Sequence, residues 1–240
     1  MFYFSLFSGK KILKSSFIDE CFFTTRDFVL TPSARKDLEK TASENMNQML
    51  KTYNGCRLIT AEQVHGDKIE IVNDNISHYP ETDAIISNIK DTILMLNFAD
   101  CTPIILYSKK DKTGALIHAG WRGSAKKITP KTVIKMQEQL NIKPENIAAV
   151  IGPSIGKCCF ETDEDVFEKL IDDKNQTKLY NRKGKKFFID LKLLNMQQLY
   201  YTGVKNIDIC DYCTCCMSDI FFSYRKEKGI TARHSAILKI

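Results

Sequence analysis

Five near-continuous apolar runs of strand length limit what this chain can become. They occupy residues 84–87, 93–98, 104–107, 115–118 and 147–151. A strand with one wet face alternates apolar and polar residues, whereas a strand covered on both faces is apolar throughout. The runs therefore predict central strands with material packed against each side. Strands are also expected at 1–7, 21–25, 58–64, 69–72, 207–210, 221–224 and 232–238, several of them bounded by turn residues such as Gly66-Asp67. Helices are expected at 34–50, where Leu38, Met46 and Leu50 recur at roughly helical spacing, and at 125–140 and 163–171. Ser124 stands where a cap for the second of these would sit, and Pro130 marks the start of its main part. A fourth helix, 191–201, is capped by Asp190 and closed by Gly203. Strands outnumber helices and do not alternate with them regularly. That pattern favours an α+β fold over a doubly wound parallel sheet: mixed, sandwich-like β-sheets with flanking helices. The chain has 240 residues, 43% of them hydrophobic, and no repeat or linker, which supports a single domain over 1–240.

Charge excludes some partners. Lys and Arg number 35 against 29 Asp and Glu, a formal net charge of +6. The excess suits an anionic substrate but is too scattered for nucleic acid, which needs a concentrated basic face. No apolar stretch reaches membrane-spanning length, so no membrane partner is expected. The apolar opening run, residues 1–7, is short, and Lys10-Lys11 follow it rather than precede it, so no secretory leader is expected. Nine cysteines then read as thiols, ligands or nucleophiles in a reducing cytoplasm rather than as disulfides. Nothing in the pattern fixes an oligomeric state.

Three reactive side chains stand at the ends of apolar runs. His65 follows Gln63-Val64, Cys101 lies in Asp100-Cys101-Thr102-Pro103, and His118 precedes Ala119-Gly120-Trp121-Arg122-Gly123. Two imidazoles and a thiolate can hold a metal with a fourth position open, or pair a nucleophilic Cys with a His base. Gly120 and Gly123 permit a close approach of backbone to ligand. Arg122, Arg225 and Arg233 each lie near a strand end or turn. Singly they read as surface ion pairs; together they could hold a phosphate. His78 reads as a solvated turn residue. Cys210, Cys213, Cys215 and Cys216 include the C-x-x-C spacing, but no separate second pair elsewhere completes a zinc ribbon, and the adjacent Cys158-Cys159 is an awkward substitute. Buried or incidental thiols are favoured there over a structural metal.

Taken together, these motifs resemble the multicopper polyphenol oxidase or laccase-domain family, also called the YfiH family, whose members are described as purine nucleoside phosphorylases. The resemblance runs from Phe22-Phe23-Thr24-Thr25-Arg26 to Arg233. It is carried by Gln63-Val64-His65-Gly66, Thr82-Asp83-Ala84, Ala99-Asp100-Cys101-Thr102-Pro103, His118-Ala119-Gly120-Trp121-Arg122-Gly123, the 151–156 segment and Phe221-Phe222-Ser223-Tyr224-Arg225. It implies mixed β-sheets with flanking helices. It also implies a catalytic, metal-binding triad of His65, Cys101 and His118, usually holding zinc, with Arg26, Gln63, Arg122, Arg225 and Arg233 toward substrate. The implied chemistry is phosphorolysis of adenosine, inosine, guanosine and methylthioadenosine, together with deamination of adenosine. Two departures stand out. Residues 27–34 are short and lack glycine where the family has a Gly-rich loop, and Ala232 replaces a glycine before Arg233.

Three other readings compete. Thiolate and imidazole also accept copper, but four histidines are too few for a multicopper cluster, which argues against a phenol oxidase. A metal-free hydrolase could use Cys101 as nucleophile and His118 as base on an amide such as a peptidoglycan precursor. A non-enzymatic binding protein is weakest, because all three site residues are present.

Overall fold

The computed structural model of the chain describes residues 1–173 and 175–240. Strands and helices are numbered by position along the chain. One sheet has seven strands in the order β1 (Phe2–Phe7), β2 (Lys10–Ser15), β3 (Cys21–Thr24), β16 (His234–Lys239), β8 (Thr92–Phe98), β4 (Arg57–Ala61) and β6 (His78–Tyr79). A second has six, in the order β15 (Asn206–Ile209), β11 (Ala148–Ile151), β9 (Thr102–Ser108), β10 (Thr113–Ala119), β7 (Ala84–Ser87) and β5 (Ile69–Ile71). Both are mixed: β4–β8, β5–β7 and β11–β15 pair in parallel, while β8–β16 and β9–β10 are antiparallel. A third, small sheet joins β12 (Glu161–Thr162), β14 (Lys186–Ile189) and β13 (Tyr180–Lys183).

The apolar runs are explained by which face each residue meets. On β8, Leu94 and Leu96 enter the core between the two large sheets, while Ile93 and Met95 face a separate cluster. On β9, Ile105 and Tyr107 point into the inter-sheet core and Ile104 and Leu106 away from it. Successive side chains alternate faces, so a strand sandwiched on both sides must be apolar at every position. Helix α1 (Glu39–Thr52) covers the outer face of the first sheet, where Met49 packs with Ile93, Met95 and Ile237. Helices α3 (Ile128–Leu140) and α5 (Leu191–Tyr201) cover the outer face of the second through Ile128, Val133, Met136 and Leu199. The result is the expected α+β sandwich with flanking helices. No helix among the described residues is long and apolar enough to cross a membrane.

Several local expectations shift. Ser124 is not a cap; it lies buried inside the short helix α2 (Trp121–Ala125), where its hydroxyl accepts from Asn195 Nδ2 at 2.9 Å. Lys127, left-handed at φ 61°, separates α2 from α3, which begins two residues before Pro130. Proline is tolerated in a first turn because its missing N–H has no partner there to lose. Asp190 does cap α5, accepting from the Leu193 N–H at 3.0 Å. The 221–224 run is not a strand. Phe221 and Phe222 are buried, so their apolar character reflects burial, not pairing. Strand β2 and the β13–β14 hairpin are additional elements, and His78 lies on β6 with Nδ1 2.8 Å from the Thr60 hydroxyl. Helix α4 (Glu164–Leu170) forms within the expected 163–171 segment.

Candidate active site

Sheet register brings the three reactive residues together. β9 and β10 pair with Thr102 opposite Ala119 and Pro103 opposite His118, which sets Cys101 across from Gly120. His65 arrives on the loop after β4. The ligand atoms of His65, Cys101 and His118 all lie within 4.8 Å of one another, and the two imidazoles meet edge-on at 4.8 Å between centroids. Gly120 is required by this approach. A Cβ there would sit 2.9 Å from Cys101 Sγ and 3.3 Å from His65 Cδ2.

Asp83, at the threshold of β7, organises the group. Its fully buried carboxylate accepts the N–H groups of Val64 (3.3 Å), His65 (3.0 Å) and Gly66 (2.6 Å), and it lies 2.7 Å from His118 Nδ1. His65 has φ 62°, a left-handed conformation that costs a non-glycine residue energy. Three consecutive N–H groups converging on one anion hold it there. The same carboxylate fixes the His118 tautomer with Nδ1–H toward Asp83, leaving Nε2 for Cys101 or a metal. The sequence marks Asp83 as part of the Thr82-Asp83-Ala84 motif but not its role, because its partners lie 17 to 35 positions away.

Charge is coupled through the group. Burial opposes ionisation of Cys101, but the charge on His118 and hydrogen bonds from His118 and His65 bring its thiol down to about 6. Burial likewise disfavours the His118 cation, but the Cys101 charge and the Asp83 hydrogen bond raise it to about 9. Both shifts favour a thiolate beside an imidazolium when no metal is bound. The donor set of one soft thiolate and two imidazoles, with a carboxylate behind one imidazole, is also one that suits a transition metal.

The residue before the thiol is held as firmly. Asp100 has φ 83°, and its carboxylate accepts the Thr214 hydroxyl at 2.6 Å and the Arg225 N–H at 2.7 Å. Its carbonyl accepts from Ile155 N–H at 2.9 Å. These bonds offset the strain and aim Cys101 into a cleft of about 630 Å³.

The other expected residues separate into distinct roles of position. Arg122, Arg225, Arg233 and Gln63 all line the cleft. The exposed Arg122 guanidinium stacks 4.3 Å over Trp121 and makes no hydrogen bond or ion pair among the described residues. The Arg225 guanidinium is committed to the carbonyls of Cys159 (2.8 Å) and Glu161 (3.1 Å). Arg233 uses Nη1 on the carbonyls of Thr231 and Ala232. Gln63 pairs with the backbone of Asn97 through both amide atoms, each at 2.8 Å. Arg26 is not brought to the cleft. It binds the carbonyls of Ser218 and Phe221, pairs with Glu227 at 2.6 Å and covers the Phe222 ring. Tyr224, from the 221–225 motif, and Phe160 and Thr31, which no motif singles out, also line the cleft.

Known proteins share both fold and sequence with this chain. Purine nucleoside phosphorylase YlmD from Geobacillus stearothermophilus is 33% identical over 196 residues, covering 76% of this chain and 72% of that protein. A purine nucleoside phosphorylase from Aquifex aeolicus is 36% identical over 166 residues, covering 69% and 75%. The crystal structure of the Bacillus licheniformis hypothetical protein YfiH superposes with a TM-score of 0.88 at 25% identity, covering 99% of this chain and 98% of that one. Residues 30–240 match the model of one family, and the chain therefore belongs to the multi-copper polyphenol oxidoreductase laccase family.

Proposed function

We propose that this chain is a purine nucleoside phosphorylase acting on adenosine, inosine, guanosine and methylthioadenosine, and that the same site deaminates adenosine. The observation that carries the reading is the meeting of His65, Cys101 and His118 at the floor of a cleft that also presents an unpaired arginine. The names of the relatives point the same way. A cleft of about 630 Å³ falls in the usual range for small-molecule sites, and Trp121, Phe160 and Tyr224 offer aromatic surface to a purine.

His65, Cys101 and His118 would hold zinc, with copper as the other metal their donors accept. Bound there, the ion supplies a Lewis-acid position for a substrate oxygen or a water. The chain's own groups do the rest. Asp83 keeps the His118 proton on Nδ1. Arg122 and the free nitrogens of Arg233 receive phosphate, and Arg225 braces the wall because its terminal nitrogens are already used. In phosphorolysis a phosphate oxygen bonds to C1′ while the C1′–N9 bond breaks. The bond pair goes to N9, and the base leaves with a proton as pentose 1-phosphate forms. In deamination water adds at C6 of adenosine and ammonia departs, giving inosine. Holding phosphate beside C1′ supplies orientation, and the arginines stabilise developing charge. All nine cysteines are free, which suits a reducing cytoplasm. The strand nearest the C-terminus lies between β3 and β8 of the first sheet, which supports one catalytic domain over 1–240.

One alternative has an observation behind it. Cys101, His118 and Asp83 form a continuous thiol–imidazole–carboxylate chain, the arrangement of a cysteine hydrolase. Copper oxidase chemistry has less support: only His65 and His118 reach this cluster, while His78 is on β6 and His234 is buried in β16. Adenosine with and without phosphate, analysed by chromatography beside metal content, tests the reading. Phosphate-dependent adenine release with bound zinc supports it. Activity on amides that survives metal removal, with none on nucleosides, would replace it with the hydrolase.

A further inference from the structure

A second group of ligand atoms converges outside the cleft. The Sγ atoms of Cys158, Cys159, Cys213 and Cys216 all lie within 4.8 Å of one another. The Cys159–Cys216 and Cys158–Cys216 separations are 3.5 and 3.6 Å, and no disulfide joins any of the four. Four thiolates at about 2.3 Å around a tetrahedral zinc ion would stand about 3.8 Å apart. We propose that Cys158, Cys159, Cys213 and Cys216 form a closed zinc site that clamps one wall of the cleft.

The backbone is shaped for it. Cys213 and Cys216 are spaced C-x-x-C, on a turn in which the Met217 N–H donates to the Cys213 carbonyl at 2.9 Å. The Gly156 N–H donates to Cys213 Sγ at 3.1 Å, and the Cys216 amide also bonds that sulfur. Amides directed at a sulfur favour its thiolate, the form that binds metal. A side chain at Gly156 would meet Cys213 Cβ at 3.1 Å and Cys158 Sγ at 3.3 Å, so glycine lets the two loops close. Spacing alone argues against a metal here, because Cys158 and Cys159 are adjacent. The fold removes the objection by setting Cys216 within reach of both.

An all-sulfur donor set selects zinc over magnesium or calcium, and four protein ligands leave no open position, so the role is structural. The clamp joins the loop after β11 to the loop after β15. The first, with the start of β12, carries the Cys159 and Glu161 carbonyls that fix Arg225, and the second carries Thr214, whose hydroxyl bonds Asp100 beside Cys101. Each thiol that binds releases its proton to solvent, so affinity falls as pH is lowered.

The test removes the cleft ligands first, in the variant His65→Ala/Cys101→Ala/His118→Ala. This protein should retain one zinc per chain by elemental analysis. Cobalt exchanged into it should give the thiolate-to-cobalt charge-transfer band and tetrahedral ligand-field bands of a four-sulfur site. Adding Cys213→Ser should abolish both and lower the melting temperature. Should the triple variant fail to fold, cobalt-loaded full-length wild type and Cys158→Ser are compared for the same bands. Neither readout involves turnover, so nucleoside activity can fail without touching this result. Zinc-free protein after reconstitution, cobalt spectra lacking charge transfer, or a disulfide among the four cysteines under reducing conditions would each overturn the proposal.

Discussion

Replacing Asp83 with asparagine tests whether this carboxylate builds the site. The change preserves shape and removes one acceptor. If the new amide nitrogen takes the Oδ2 position, it faces the N–H groups of Val64 and Gly66, which donated at 3.3 and 2.6 Å. If it takes Oδ1, it faces His65 N–H and His118 Nδ1, at 3.0 and 2.7 Å. In that orientation His118 must invert its tautomer, and its Nε2 can no longer ligate. In the first orientation two hydrogen bonds to a charged, buried group are lost, at about 1.5–3 kcal/mol each, or about 3–6 kcal/mol in all; in the second one is lost and the His118 bond is reversed and no longer charge-assisted. For a chain of this size a loss of about 3–6 kcal/mol corresponds to a fall in melting temperature of about 6–24 °C. Zinc affinity should fall about 10–100-fold, as for other carboxylates behind a ligating histidine. The pH dependence gives an independent check. Burial pushes the Asp83 carboxyl upward, but the His118 hydrogen bond and charge and the Gly66 and Val64 amides hold it below the usual range. Its contribution is therefore present above the unfolded value of about 4 and lost as pH falls through the lower folded value. The variant should lack this acid limb. Differential scanning calorimetry across pH 2–7 and competitive zinc titration measure both effects. A variant within about 0.5 kcal/mol of the parent, with unchanged zinc affinity, would refute the assignment.

Gly120→Ala should cut nucleoside turnover and zinc affinity at least about tenfold while leaving circular dichroism unchanged, because the new methyl meets Cys101 Sγ at 2.9 Å; parental affinity would show that the thiol does not need that space. Arg122→Lys should raise the KM for phosphate about tenfold or more and leave phosphate-independent deamination nearly unaltered, since lysine cannot reproduce a planar two-point contact. Equal losses in both reactions, or none in either, would mean that Arg122 braces the loop and that phosphate is bound elsewhere, with Arg225 and Arg233 the next candidates. His234 is fully buried and neutral, its pKa pulled down to about 3 by burial. Because the unfolded chain takes up a proton below about 6.5 and the folded one does not, stability should fall by about 3 kcal/mol between pH 6.5 and 4 on its account. His234→Phe should flatten that slope in denaturant titrations, and an unchanged slope would assign the loss to other groups.

The strands most legible in the sequence are those whose neighbours cover both faces. Ile93–Leu96 and Ile104–Tyr107 are apolar at every position because each successive side chain enters a different cluster. Strand β2, which lies between β1 and β3 and carries three lysines, and the edge strand β13, which carries Asn, Arg and Lys, bear no such mark. The same limit separates the sites. His65, Cys101 and His118 announce themselves because each is a reactive side chain beside turn residues at the end of a run, a pattern visible within five or six positions. The Asp83 cradle, the commitment of Arg26 to the 218–227 loop and the freedom of Arg122 are matters of partners far apart in sequence. So is the meeting of Cys158 and Cys159 with Cys213 and Cys216. Backbone periodicity determines which residues share a face of one strand or helix. Only the register and stacking of sheets determine which distant side chains touch, and a hydrogen bond or a metal site depends on separations of a few tenths of an ångström that local pattern does not encode.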